Sequence, residues 1–285
     1  MKAAAGQKLA SAGSVSEGAR RLARPLVVAV GLLAVLQAGT GRAWAEPAGS
    51  RCENGLPAGE NSVLSQRGDD VATCALGLAY ERGENGVPKD LRRAAELFQR
   101  AANKGNVDAQ YHLGRVLEQG GPGLPADIPF AVSMYQTAAR YGQPYAQFRL
   151  GYVLQHGIGV DKNAEQAVIW YRRAADQGVP EAQNSLGLMY LTANGIARNY
   201  KQAARWFKQA ADQGNPWAQN NLAGMYEMGW GVPRDINEAR RLYALAANAE
   251  NAGARRNLER LAALEKATRA AKPGKPSGRS KAKPR

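Results

Sequence analysis

Two histidines and two cysteines are all that this chain of 285 residues offers for metal or thiol chemistry. Neither cysteine stands at zinc-ligand spacing from a histidine, so no metal site is expected. His112 and His156 lack a carboxylate or cysteine at a fixed offset, which argues against a catalytic pair. No Gly-x-x-x-x-Gly-Lys-Ser/Thr run is present to cradle a phosphate, and residues 70–251 contain no Ser-x-x-Lys. These absences predict a protein without cofactor or catalytic centre. The apolar run Leu26–Ala38 falls short of the roughly 20 residues needed to cross a bilayer, so no integral membrane protein is expected once the chain is processed.

Acidic side chains are also scarce, and the net charge is +14. The excess sits at the ends. Residues 1–45 carry six basic groups and one acid, and residues 271–285 carry six basic groups and no acid, which leaves +3 for everything between. A nearly neutral body speaks against nucleic acid as a partner. Residues 1–45 read as a secretory signal, with Lys2, Lys8, Arg20, Arg21 and Arg24 ahead of the apolar run and Ala43-Trp44-Ala45 as a cleavage site. A periplasmic or secreted chain, cut near Ala45, is therefore expected. Residues 46–69 are rich in Gly, Pro and Ser and predict a loosely ordered lead-in. The tail, residues 271–285, lacks the apolar groups to fold. It either contacts an anionic envelope polymer or membrane, or is a solvated end. Export favours a Cys52–Cys74 disulfide over two unpaired thiols. Cys74 is not expected to face the core.

What the chain has in abundance is repetition. Alanine pairs begin at Ala101, Ala138, Ala174, Ala210 and Ala246, spaced 37, 36, 36 and 36. A second frame interleaves with the first. Ala72, Ala109, Ala146, Ala182 and Ala218, here position 0 of each unit, stand four residues before Leu76, Leu113, Leu150, Leu186 and Leu222. Position +5 is glycine in four units (Gly77, Gly114, Gly151, Gly187) and Ala223 in the fifth. Mid-helix glycine costs about 1 kcal/mol, so its recurrence predicts close approach of a paired helix. A second helix follows in each unit. Ala94, Ala131, Ala167, Ala203 and Ala239 precede Phe98, Tyr135, Tyr171, Phe207 and Tyr243 by four residues. Asp90, Asp127, Asn163, Asn199 and Asp235 stand where an N-cap is needed. Gly105, Gly142, Gly178 and Gly214 follow the second helices as left-handed caps, and Glu250-Asn251 in the fifth unit predicts a different exit. Trp170 and Trp206 align with core residues, and Trp230 falls in an exposed turn.

A period of this length marks a helical solenoid. The frame Ala-x-x-x-Leu-Gly-x-x-Tyr-x-x-Gly-x-Gly-Val, then Ala-x-x-Trp/Tyr-Tyr/Phe-x-x-Ala-Ala-x-x-Gly, resembles the Sel1-like repeat, a relative of the tetratricopeptide repeat. The resemblance covers residues 70–251. It implies an all-α, right-handed α/α superhelix of about five repeats, with residues 252–270 as a capping helix. It also implies that first helices line a concave face and that the protein holds a protein partner.

By the same analogy, positions −1, +2, +6 and +9 of the first helices should face the groove. They include Tyr111 and Arg115 in the second unit and Tyr145, Phe148 and Tyr152 in the third. The fourth unit contributes Glu181, Asn184, Leu188 and Leu191, and the fifth Trp217 and Asn220. Packing between neighbouring first helices is the alternative use of these positions. The function expected is a non-catalytic, exported adaptor or regulator that binds a segment of an envelope protein. A scaffold acting through its basic tail is the second reading. The third, a hydrolase of β-lactam or cell-wall type, comes from cysteine-rich members of the family, from which a single cysteine pair sets this chain apart.

Overall fold

In the computed structural model, described here for Cys52 and residues 55–271, the secondary structure is helical apart from one isolated bridge, Gly121–Leu124. A short helix, α1 (Ala58–Gln66), precedes five antiparallel pairs. The pairs are α2 (Asp70–Arg82) with α3 (Leu91–Ala102), α4 (Val107–Gln119) with α5 (Ile128–Arg140), and α6 (Pro144–His156) with α7 (Ala164–Asp176). They continue as α8 (Pro180–Thr192) with α9 (Tyr200–Asp212) and α10 (Pro216–Met228) with α11 (Ile236–Asn248). A last helix, α12 (Ala252–Ala271), closes the series. The expected leader, and all of the expected tail beyond residue 271, lie outside the described residues.

The start of each second helix is set by one side chain. Asp90, Asp127, Asn163, Asn199 and Asp235 each accept a first-turn backbone N–H, at 2.9–3.0 Å. Most first helices are capped as well. Asp69, Asn106, Gln143, Asn215 and Asn251 accept from the amide of position 0. Val179 holds this place before α8 and offers no oxygen.

The glycines at +5 admit the aromatic of their own second helix. A Cβ on Gly77, Gly114, Gly151 or Gly187 would stand 2.7–2.8 Å from the ring of Phe98, Tyr135, Tyr171 or Phe207. All four rings are fully buried and cannot withdraw. The alanines at position 0 and those of the second helices are buried too. Small groups thus bring the backbones together, and the rings fill the remaining space.

Four expectations need correction. The lead-in is not loosely ordered throughout, because α1 forms within it and packs on α2. Its buried residues include Asn61 and Ser65. Ser65 Oγ accepts from Thr73 at 2.9 Å, and Asn61 donates to the Leu56 carbonyl at 2.9 Å. Cys74 does face the core. It is fully buried and bonded to Cys52, which closes the first unit. The fifth unit's exit follows the others, with Glu250 at φ +63° in the conformation that glycine takes elsewhere. Trp170, finally, is only partly buried, with the Arg173 guanidinium over its ring at 4.5 Å, whereas Trp206 is buried.

The end of the stack differs in one residue. Helix α12 is a sixth first helix, with Ala254 at position 0 and Leu261 buried. At +5 it carries Glu259, exposed, in place of glycine. A second helix with an aromatic could not close on that side chain.

Candidate functional site

The first-helix surface is built by a rule the repeat imposes. Position +2 of one unit meets position −1 or +3 of the next. Tyr111 lies 6.1 Å from Tyr145, ring to ring. Asn221 donates to Asn184 at 2.9 Å, and Asn257 donates to Asn220 at 3.0 Å. The +2 position is therefore covered. Tyr111 is 2% exposed and Phe148 3%, with Tyr145, Asn184, Asn220 and Leu191 also buried. These six, expected to line an open groove, are packed away: Tyr111, Tyr145, Asn184 and Asn220 join neighbouring first helices, Phe148 lies 5.9 Å from the Tyr171 ring of its own second helix, and Leu191 falls in the cluster that holds Phe207. Tyr152, Leu188, Trp217 and Arg115 remain partly exposed. Trp230 stacks on Tyr200 at 5.3 Å and secures its turn rather than standing free.

Position +9 is a second joint. Tyr135 donates its hydroxyl to Glu118 at 2.7 Å, Tyr171 to Gln155 at 2.7 Å, and Tyr243 to Glu227 at 3.1 Å. Where the aromatic is Phe207, position +9 is the apolar Leu191. The first unit breaks the match, because Phe98 has no hydroxyl for Glu81. Basic residues of the following unit complete these sites. Arg115 bonds Glu81 at 3.0 Å, Arg149 pairs with Glu118, and Arg260 reaches Glu227 at 2.6 Å. Arg149 also lies over the Tyr152 ring at 4.8 Å. Burial pushes the Tyr135 and Tyr171 hydroxyls well above their usual range, so both stay protonated donors.

An amide ladder runs along the other edge. Gln147 and Gln183, at +1, donate to the Ala139 and Ala175 carbonyls of the preceding unit. Each accepts in turn from a glutamine after its own second helix, Gln177 at 2.7 Å and Gln213 at 2.8 Å. In the second unit Tyr141, 73% exposed, stands in that place, and Gln110 Oε1 is left without a donor. Neither ladder was anticipated from the sequence, although both recur at the repeat period.

One acid–histidine proximity deserves a chemical test. Glu81 Oε2 lies 3.9 Å from His112 Nδ1. Burial raises the Glu81 carboxyl against the opposing pull of Arg115, and burial lowers His112 well below the usual imidazole value, so the ring is held neutral rather than as a charged partner of Glu81. His112 is 2% exposed and stacks on Phe98 at 5.3 Å. A ring so enclosed has no room for a substrate within hydrogen-bond reach, which general acid–base catalysis requires. Among the described residues no group of His, Cys, Asp or Glu could hold a metal ion, and no helix is long and apolar enough to cross a membrane.

Comparison with known proteins bears on the same repeat. The family described as Sel1 repeat matches residues 70–106, 107–142, 144–179, 180–215 and 218–251. No curated protein matches the chain. Among solved structures, a Sel1 repeat protein from Oxalobacter formigenes is 29% identical with a TM-score of 0.63, over 70% of this chain and 86% of that one. A protective antigen of uropathogenic Escherichia coli, displaying the same repeat fold, is 31% identical with a TM-score of 0.56. That alignment covers 76% of this chain but only 54% of the antigen, so this chain spans about half of the longer protein.

Proposed function

Because this chain belongs to the Sel1-repeat family, whose members are generally protein-interaction adaptors, we propose that it is an exported, non-catalytic adaptor. It holds a segment of a partner protein on its first-helix surface. The observation that carries this reading is a partly exposed apolar stretch, Tyr152, Leu188 and Trp217, on three successive first helices. Glu118–Arg149 lies on one side of it and Glu227–Arg260 on the other. Apolar surface framed by satisfied charges is the usual make-up of a protein-binding patch. The Cys52–Cys74 disulfide supports an oxidising, exported location, as does the leader read in residues 1–45.

The test uses the full chain with Tyr152→Ala, Leu188→Ala and Trp217→Ala combined. Crosslinking in the cell envelope should lose the partner bands that the unaltered chain gives, with the helical circular dichroism retained. Unchanged crosslinking would reject this surface.

A further inference from the structure

Charge is divided unevenly between the two layers of the stack. The five first helices carry a net −3 and the five second helices +6. Within the first-helix layer most acids are answered. Arg115, Arg149 and Arg260 neutralise Glu81, Glu118 and Glu227. Asp70, at position −2, and Asp108, at −1, accept from the next unit's N-cap amide, Asn106 at 3.1 Å and Gln143 at 3.4 Å.

Glu181 holds the −1 position of Asp108 in the fourth unit, and the next N-cap does not answer it. The next N-cap, Asn215, spends its side-chain oxygen on the amides of Trp217 and Ala218. Its amide gives Glu181 no hydrogen bond among the described residues, and Glu181 Oε2 has no partner. Burial accordingly raises the Glu181 carboxyl above its usual value. The carboxylate accepts only from its own backbone N–H, and Oε2 is left unpaired; a desolvated oxygen of this kind is costly to keep, and an incoming cation would relieve that cost. Glu181 as a residue is only partly buried, so rotation of its side chain brings the carboxylate to the surface.

We propose that the segment taken by this surface is apolar and bears one lysine or arginine, whose charge is received by Glu181. This rests on the groove reading above and narrows it to one class of partner. Charge complementarity selects the occupant. An acidic segment would meet the net-negative layer and the uncompensated Glu181, whereas a single cation completes the pairing that every other acid named here already has.

The experiment selects from a library of randomised twelve-residue peptides displayed on phage, against the immobilised full chain. Peptides whose retention is lost on Trp217→Ala are resynthesised. They should share one Lys or Arg among apolar residues. Replacing that residue by norleucine, or Glu181 by glutamine, should each weaken binding by at least about tenfold, and the two together by no more than either alone. Thermal melting of E181Q, monitored by circular dichroism, confirms the fold. Trp217-dependent peptides with no basic residue, or equal binding to E181Q, would overturn the assignment of Glu181 while leaving the groove in place. If no selected peptide depends on Trp217, Leu188 or Tyr152, the groove itself fails and this inference with it.

Discussion

The pairing of position +9 with the second-helix ring allows one substitution to be tried in two repeats with opposite results. Phe98→Tyr would place a hydroxyl where Tyr135 meets Glu118 in the next unit, at 2.7 Å. Its acceptor is ready, since Glu81 Oε2 is buried and receives no hydrogen bond. A hydrogen bond to a charged group contributes about 1.5–3 kcal/mol. Allowing for the hydroxyl's own desolvation, the expected gain is roughly 1–2 kcal/mol, a rise in Tm of about 2–6 °C for a chain of this size. Phe207→Tyr makes the same change against Leu191, which cannot accept. There a buried, unpaired hydroxyl should cost about 1–3 kcal/mol. The assay is thermal and urea unfolding of both variants, followed by circular dichroism. The pH dependence is a second readout. Glu81 is raised by burial, so the native state binds its proton more readily than the unfolded chain does, and acidification through the range above 4.5 favours folding. A tyrosine hydroxyl bonded to the carboxylate lowers Glu81 and should shrink that gain in Phe98→Tyr alone. Shifts of the same sign in the two variants would refute the pairing rule.

Three further outcomes are expected. Ala193 ends α8 at φ +59°, in the left-handed conformation that Gly83, Gly157 and Gly229 take at the ends of three other first helices, so Ala193→Gly should stabilise by about 1 kcal/mol in urea unfolding. Tyr141→Gln should supply the donor that Gln110 lacks and raise stability by about 0.5–1.5 kcal/mol, with slower hydrogen exchange at the second unit. His112, lowered by burial and by Arg115, stays neutral in the fold while the unfolded chain takes up a proton below 6.5. Its stabilising effect is therefore complete above that pH and is lost as the pH falls further. A His112→Phe variant should lose that part of the acid sensitivity of Tm, measured between pH 7 and pH 5 as about those limits of the imidazole range.

The period, the caps and the +5 glycines were legible because each depends on contacts inside one unit. A cap bonds its own helix, and Gly151 meets the ring of its own second helix. The face of the first helix was harder to read. Spacing alone sets Tyr111 and Phe148 on the far side from the alanine–leucine stripe, yet each reaches the buried ring of its own second helix, Tyr135 or Tyr171, and Tyr111 also meets Tyr145 one period later in the chain. The same geometry buries Cys74. Helix α1 was missed for a different reason. It inserts Asn61 and Ser65, not an apolar stripe, so no hydrophobic period announces it. Glu181 could be placed on the surface from the sequence, yet its want of a partner depends on how Asn215 uses its side chain, which only the folded neighbour decides.

Glu259 bears on how such a chain can change in length. Copying one more 36-residue segment after α11 would add a helix pair whose small-residue contacts are already specified, and the array would tolerate it. Copying it after α12 would force a ring against a carboxylate. Lengthening is thus permitted upstream of the last helix and blocked beyond it, so variants with more or fewer repeats should keep the same final helix.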